Sequence, residues 1–129
     1  MTTFLLERGY HVTAVEKDQR SVEGLELSLL KKYSDRLVIL QEDILRFKTD
    51  SFDLCVGNIP YYITSDILFW LCANKQRFSK IILMVQDEVA DRLNAAPNSK
   101  DYSRLTIKIG LNFVVKKHFK VPAESFVPK

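Results

Sequence analysis

An α/β fold with a mostly parallel sheet is what this 129-residue sequence predicts, and three features carry the prediction. Apolar, strand-like runs alternate with helix-like segments along the chain, the connections are short, and no repeat, low-complexity tract or Pro/Gly-rich linker interrupts them. In open sheets of this kind ligands bind beyond the carboxyl ends of the strands. The polar residues just after each run are therefore the candidates for chemistry.

In chain order, residues 2–8 read as the tail of a helix stopped by Gly9, and residues 11–15 as the strand that follows. Residues 21–32 carry a helical apolar spacing, and residues 37–40, Leu-Val-Ile-Leu, make a second strand. Residues 52–56 form a third strand. Residues 65–71 are a strongly apolar helix that places Trp70 in the core, and residues 80–85, Lys-Ile-Ile-Leu-Met-Val, read as a strand buried on both faces. Residues 87–94 and 102–111 are helical in pattern, and residues 112–119 are expected to form a final strand. Residues 1–129 are expected to make a single domain or a large part of one.

Composition narrows the class. The longest uninterrupted apolar stretch, residues 67–73, is far short of a membrane span, and Met1-Thr2-Thr3 runs into Glu7 and Arg8 without a secretory pattern. Both point to a cytoplasmic protein. Cys55 and Cys72 sit inside apolar segments without metal-ligand spacing and read as small buried hydrophobes in a reducing compartment, so neither a disulfide framework nor a metal site is expected. The net charge of +3 is uneven: residues 1–99 hold 12 Lys/Arg against 14 Asp/Glu, and residues 100–129 hold 7 against 2. A basic end of this kind attracts phosphate backbones, and is equally an ordinary solvated face.

Polar residues do cluster after the strands. Val15 is followed by Glu16, Leu40 by Gln41-Glu42-Asp43, and Val56 by Gly57-Asn58. A strand-end acid such as Glu16 can accept two ribose hydroxyls, or serve as a helix N-terminal charge. Asp43 can accept from an adenine amine while the Ile44 amide donates to the ring, or it can cap the turn over residues 44–47. Asn58-Ile59-Pro60-Tyr61 is more specific. Methylating an exocyclic amine takes two close acceptors to hold the NH2 group and a flat surface to stack the base. The Asn58 side chain, the Ile59 carbonyl and the Tyr61 ring have that chemistry, with Pro60 stiffening the turn by fixing its own φ and biasing Ile59 away from helix. The alternative is an Asn-Pro turn with a packed Tyr. Tyr61 is favoured for stacking, Tyr62 for packing, and Phe126 is a second candidate ring, since an extracted base is held between two apolar faces. His11 and His118 lack partners that would suggest general-base duty.

These residues together resemble the KsgA/Dim-type rRNA adenine N(6),N(6)-dimethyltransferases, which use S-adenosylmethionine to dimethylate two adjacent adenines near the 3′ end of small-subunit rRNA. Val15-Glu16-Lys17-Asp18 is similar to the family's ribose-binding acidic motif, Glu42-Asp43-Ile44-Leu45 to its adenine-binding motif, and Gly57-Asn58-Ile59-Pro60-Tyr61 to its catalytic motif. The stretches Glu88-Val89-Ala90-Asp91-Arg92-Leu93 and Ser99-Lys100-Asp101-Tyr102-Ser103-Arg104-Leu105 also match. The second of these separates this group from the related erythromycin-resistance methyltransferases of large-subunit rRNA, which share Asn-Ile-Pro-Tyr. The resemblance implies catalytic roles for Asn58, Ile59, Pro60, Tyr61 and Phe126. It implies cofactor contacts from Glu16, Lys17, Asp43, Ile44 and Asn58, a small-subunit rRNA or 30S-type particle as partner, and no metal. Lys17 departs from the apolar residue often set against the adenine, although its methylene stem can still cover the ring.

The implied fold is the Rossmann-like class I methyltransferase fold without its first strand and Gly-rich loop and without the C-terminal helical domain. The four glycines, Gly9, Gly24, Gly57 and Gly110, form no G-x-G. In that fold the first strand lies between the strand at residues 11–15 and the one at 52–56, so its absence is expected to leave two strand edges unpaired and to weaken cofactor binding. Three alternatives remain at this level: a catalytically silent rRNA-binding or ribosome-assembly module, an erythromycin-resistance-type enzyme, and methylation of adenine in DNA.

Overall fold

The computed structural model describes residues 1–48 and 50–126. It divides into two compact units, Met1–Lys48 and Thr49–Lys129, each with a two-stranded parallel sheet.

In the first unit, helix α1 (Thr2–Glu7) ends where Gly9 takes a left-handed φ of 86°, a conformation that needs the missing Cβ. Strand β1 (Val12–Glu16) follows. Asp18 then caps α2 (Gln19–Leu25), its Oδ1 accepting from the Ser21 amide at 2.9 Å and the Ser21 hydroxyl at 3.0 Å. A π-helical turn (Glu26–Leu30) continues into α3 (Lys31–Tyr33), and within it the Ser28 hydroxyl donates to the Gly24 carbonyl at 2.6 Å. Strand β2 (Leu37–Gln41) runs parallel to β1 in a register from Val12 opposite Leu37 to Glu16 opposite Gln41. Leu6, Leu29, Tyr33 and Leu37 form the core, with Val12, Ala14, Leu25 and Ile39 against it. Each such aliphatic side chain contributes about 1.5–3 kcal/mol on burial, and together they lock the register that sets Glu16 beside the end of β2.

In the second unit, β3 (Phe52–Asn58) pairs in parallel with β4 (Phe78–Met84), Phe52 opposite Phe78 and Asn58 opposite Met84. A 3₁₀ turn (Tyr61–Ile63) leads from β3 into α4 (Thr64–Ala73), and a second (Lys75–Arg77) leads on to β4. Thr64, Ile67, Leu68 and Leu71 are buried at helical spacing along one stripe of α4. Helix α5 (Asp87–Leu93) is tied to α6 (Arg104–Gly110) by Thr106, whose hydroxyl donates to the Arg92 carbonyl at 2.7 Å and accepts from the Ser103 amide at 3.0 Å. Asn98, in the connection between them, takes a φ of 69°, which its short polar side chain tolerates. A last 3₁₀ turn spans Ala123–Ser125.

The expected alternation holds as far as α6, with one correction to the sheet and one to the core. As expected where two strand edges are left unpaired, among the described residues β1 bonds only to β2, and β3 only to β4. Residues 112–119 form no strand. Their Val and Phe content favours β structure only where a partner edge is offered, and here Val114 and Phe119 are 91% and 81% exposed. The segment is instead fastened to α5, Lys117 Nζ lying 2.7 Å from Asp87 and 2.6 Å from Asp91, and Lys120 Nζ 2.6 Å from Asp87. The residues expected to be fully buried are only partly so. Ile82 on β4 is exposed and Cys55 on β3 half-buried, because a two-stranded sheet has too few neighbours to cover both faces, and Trp70 and Cys72 on α4 are half-buried as well. Trp70 packs on Phe78 with ring centroids 5.9 Å apart, and burial pushes both thiols up from their ordinary pKa.

Candidate active site

The carboxyl ends of β1 and β2 bring Glu16, Lys17, Asp43 and Ile44 together. The ladder register sets Glu16 opposite Gln41, and the Glu42 amide adds one more bond to the Glu16 carbonyl at 2.9 Å. Glu16 Oε1 accepts from the Asp18 amide at 2.9 Å, which holds the carboxylate over its own turn. Asp43 Oδ1 accepts from the Leu45 amide at 3.1 Å and Oδ2 from Lys17 Nζ at 2.9 Å. The Lys17 ammonium, and after it the Leu45 amide, hold the Asp43 carboxyl below its ordinary pKa. Among the described residues the Ile44 amide has no partner. Two carboxylates and one open backbone donor match the hydroxyls and ring edge of a nucleoside.

At the carboxyl end of β3 a second set forms. Asn58 closes the strand, and the Ile59 amide donates to the Met84 carbonyl at 3.0 Å. Pro60, at φ −58° and ψ 130°, turns the chain into the 3₁₀ turn. Its carbonyl accepts from the Ile63 amide at 3.2 Å. The buried Thr64 hydroxyl reaches both the Pro60 and the Tyr61 carbonyl at 3.2 Å, stapling the turn to the start of α4. Between these anchors the Asn58 side chain and the Ile59 carbonyl have no hydrogen-bond partner among the described residues. Two acceptors on adjacent residues are thus left open, beside a ring held by a stiff turn.

Tyr61 is 72% exposed, and Tyr62, expected to pack, is as open at 73%; the two rings meet edge to face with centroids 5.6 Å apart. Phe126 is half-exposed after the last 3₁₀ turn, and no ring contact joins it to Tyr61 among the described residues. Gly57 is tightly surrounded: a Cβ there would lie 3.2 Å from Ile59 Cδ1 and 3.3 Å from Leu83 Cδ2. Sequence reasoning missed Thr64. Its signal was a hydroxyl residue opening a helix just after a Pro turn, where a side chain can bond back to the preceding carbonyls. A surface concavity of about 420 Å³ lies by α5 and α6, lined by Leu93, Tyr102, Ile107 and Phe113 among others, and none of the motif residues lines it. Among the described residues no group of three or more His, Cys, Asp or Glu could hold a metal, and no helix is long and apolar enough to cross a membrane.

The chain as a whole is similar to known proteins. A "Ribosomal RNA small subunit methyltransferase A" of Mesomycoplasma hyopneumoniae (strain 232) is 43% identical over 132 residues, covering 100% of this chain and 49% of that protein. One of the same name from Streptococcus thermophilus (strain ATCC BAA-250 / LMG 18311) is 38% identical over 138 residues, covering 99% of this chain and 47% of its own length. The crystal structure of a dimethyladenosine transferase from Plasmodium falciparum superposes with a TM-score of 0.67 at 33% identity, over 78% of this chain and 36% of that one. The chain spans about half the length of the curated relatives it matches. Its α/β architecture with parallel strands is that of the methyltransferase fold seen in the Plasmodium structure. The model of the ribosomal RNA adenine dimethylase family matches residues 1–129, and the chain belongs to that family.

Proposed function

We propose that this chain carries the catalytic residues of a cytoplasmic, S-adenosylmethionine-dependent enzyme that dimethylates adenine amines in small-subunit rRNA. The observation that carries the reading is the pair of open acceptors at the end of β3, the Asn58 side chain and the Ile59 carbonyl, next to the exposed Tyr61 ring.

The cofactor, when bound, supplies an electrophilic methyl group. Asn58 Oδ1 and the Ile59 carbonyl accept the two amine hydrogens of the target adenine, which fixes the direction of the nitrogen lone pair. Tyr61 stacks on one face of the base and Phe126 closes over the other. The amine loses its proton only after attack, so orientation and exclusion of water dominate the rate enhancement, and no general base is required. Glu16 and Asp43 would hold the nucleoside end of the cofactor, with the Ile44 amide as a further donor. The donor set fits that half of the cofactor: Glu16 keeps Oε2 free of its turn, and the Ile44 N–H is open. The basic residues 100–129 supply attraction to the RNA backbone.

The test is methyl transfer from labelled S-adenosylmethionine to unmodified 30S particles, with 50S particles and duplex DNA as comparisons. Transfer to 30S alone supports the reading; transfer to 50S or DNA alone replaces the substrate. Asn58→Ala is expected to abolish transfer while RNA binding, followed by filter retention, stays near the wild-type level. Full activity in that variant sinks the amine-orienting role. RNA binding without any cofactor binding, by calorimetry, favours the silent RNA-binding module.

A further inference from the structure

We propose that Lys17 competes with the incoming nucleoside for Asp43, so that the ligand-free site is closed by a weak internal ion pair that must open before an adenine amine can dock. The proposal rests on the reading that Glu16, Asp43 and the Ile44 amide receive a nucleoside.

The loop after β1 is almost fully used by its own hydrogen bonds. The Asp18 amide binds Glu16, and the Asp18 carboxylate binds the Ser21 amide and hydroxyl. Lys17, between them, takes no part in this local network. Its side chain crosses to the neighbouring strand end and meets Asp43 Oδ2 at 2.9 Å. The other oxygen, Oδ1, is held by the Leu45 amide in a turn that belongs to the loop itself. Oδ2 is therefore the oxygen that an adenine amine needs, and an ammonium already occupies it.

The pair is built to open. Lys17 is 76% exposed and Asp43 only 26%, so the ammonium keeps most of its water while the carboxylate stays anchored. Ion pairs of that exposure are weak and screened by salt. On displacement the ammonium can move into solvent while the methylene stem remains along the base. With the pair formed, the Ile44 amide has no partner among the described residues. Lys17 thus lowers nucleoside affinity through its charge, and the size of that reduction depends on ionic strength.

Adenosine is the suitable probe because it is neutral, so salt acts on its binding through the protein's own charges. Titrations of the full chain, of Lys17→Met, which keeps the stem, and of Lys17→Ala, which removes it, are compared at low salt and at about 1 M NaCl. Both variants are expected to bind adenosine about two- to fivefold more tightly than wild type at low salt. The gap is expected to shrink at high salt because the wild type improves. No gain in either variant, whether all three proteins bind equally or none binds, overturns the competition. A gain confined to Lys17→Met also overturns it, since that pattern reports a better apolar wall. Asp43→Asn and Glu16→Gln separate the proposal from the reading beneath it. If these weaken adenosine while Lys17 variants change nothing, only the competition fails; if adenosine binds undiminished to both, the nucleoside site itself is misplaced and both fail.

Discussion

The Ile59 amide donates to the Met84 carbonyl over 3.0 Å, extending the β3–β4 ladder past its last paired residues, Asn58 and Met84. That bond fixes the backbone on one side of the Ile59 peptide, and the restricted φ of Pro60 fixes it on the other. The Ile59 carbonyl, the proposed amine acceptor, is oriented by main-chain constraints alone. Side-chain changes nearby can therefore disturb it only by moving the strand.

Gly57→Ala crowds the Ile59 side chain next to it. The new Cβ meets Ile59 Cδ1 at 3.2 Å and Leu83 Cδ2 at 3.3 Å, both flexible methyl ends that must give by a few tenths of an ångström. Overpacking of this mild kind costs about 1 kcal/mol, read as a lower urea midpoint at unchanged slope. Methyl transfer per folded molecule is expected to stay near the wild-type level, because the two methyl ends can give without moving the Ile59 backbone. A loss of activity per folded molecule would show that the crowding does reach the Ile59 backbone.

Thr64→Val keeps the shape of a buried side chain and removes the hydroxyl that reaches the Pro60 and Tyr61 carbonyls. The expected loss is about 1 kcal/mol, the usual net value of such a bond. Thr64→Ser, which keeps the hydroxyl, separates the bond from the methyl. Tyr61 sits on the stapled turn, so exchange broadening of its ring signals is expected in Thr64→Val and not in Thr64→Ser.

What the sequence revealed, and what it hid, divides along a physical line. Elements whose pattern is local were legible: Gly9 ends α1 because only the residue without Cβ takes φ 86° cheaply, and Asn58 and Asp43 fall at strand ends because apolar runs stop there. What depends on partners was not. Residues 112–119 read as a strand by composition, yet their conformation is decided by whether an edge is available, and Lys117 and Lys120 bind α5 instead. The exposure of Ile82 has the same cause, since run length says nothing about how many strands flank a run. In the site, residue types were visible but occupancy was not: nothing in Val15-Glu16-Lys17-Asp18 announces that Lys17 reaches a residue 26 positions away.

Thr106→Val tests the junction of α5 and α6. The buried Thr106 hydroxyl both donates to the Arg92 carbonyl at 2.7 Å and accepts from the Ser103 amide at 3.0 Å. Its removal takes the side-chain acceptor from the Ser103 amide and leaves the Arg92 carbonyl with the longer bond from the Ala95 amide at 3.4 Å. A loss of about 1–2 kcal/mol is expected. Amide exchange in the first turn of α6 is expected to accelerate more than exchange in α4. Uniform acceleration across the second unit would mean that the bond supports global stability and not this junction.

Asp87 gives the stability curve an acid limb. Lys117 first, and then Lys120, hold its carboxyl at about 2 against an ordinary 3.8. A carboxyl with a depressed folded pKa stabilises the fold above its unfolded pKa, and that contribution drains away as pH falls from 3.8 toward 2 and the pairs with both lysines break. The reciprocal effect appears at the alkaline end. Lys117 is raised above 10.5 by Asp87 and then Asp91, so its contribution is complete below 10.5 and is lost as pH climbs through the higher folded value. Denaturant midpoints measured across pH are expected to fall within the acid window in the wild type and to fall less steeply in Asp87→Asn. High salt is expected to flatten the wild-type slope as well, because the groups are partly open to water. An Asp87→Asn chain with the full wild-type acid slope would show that residues 112–120 are held to α5 by something other than this carboxylate.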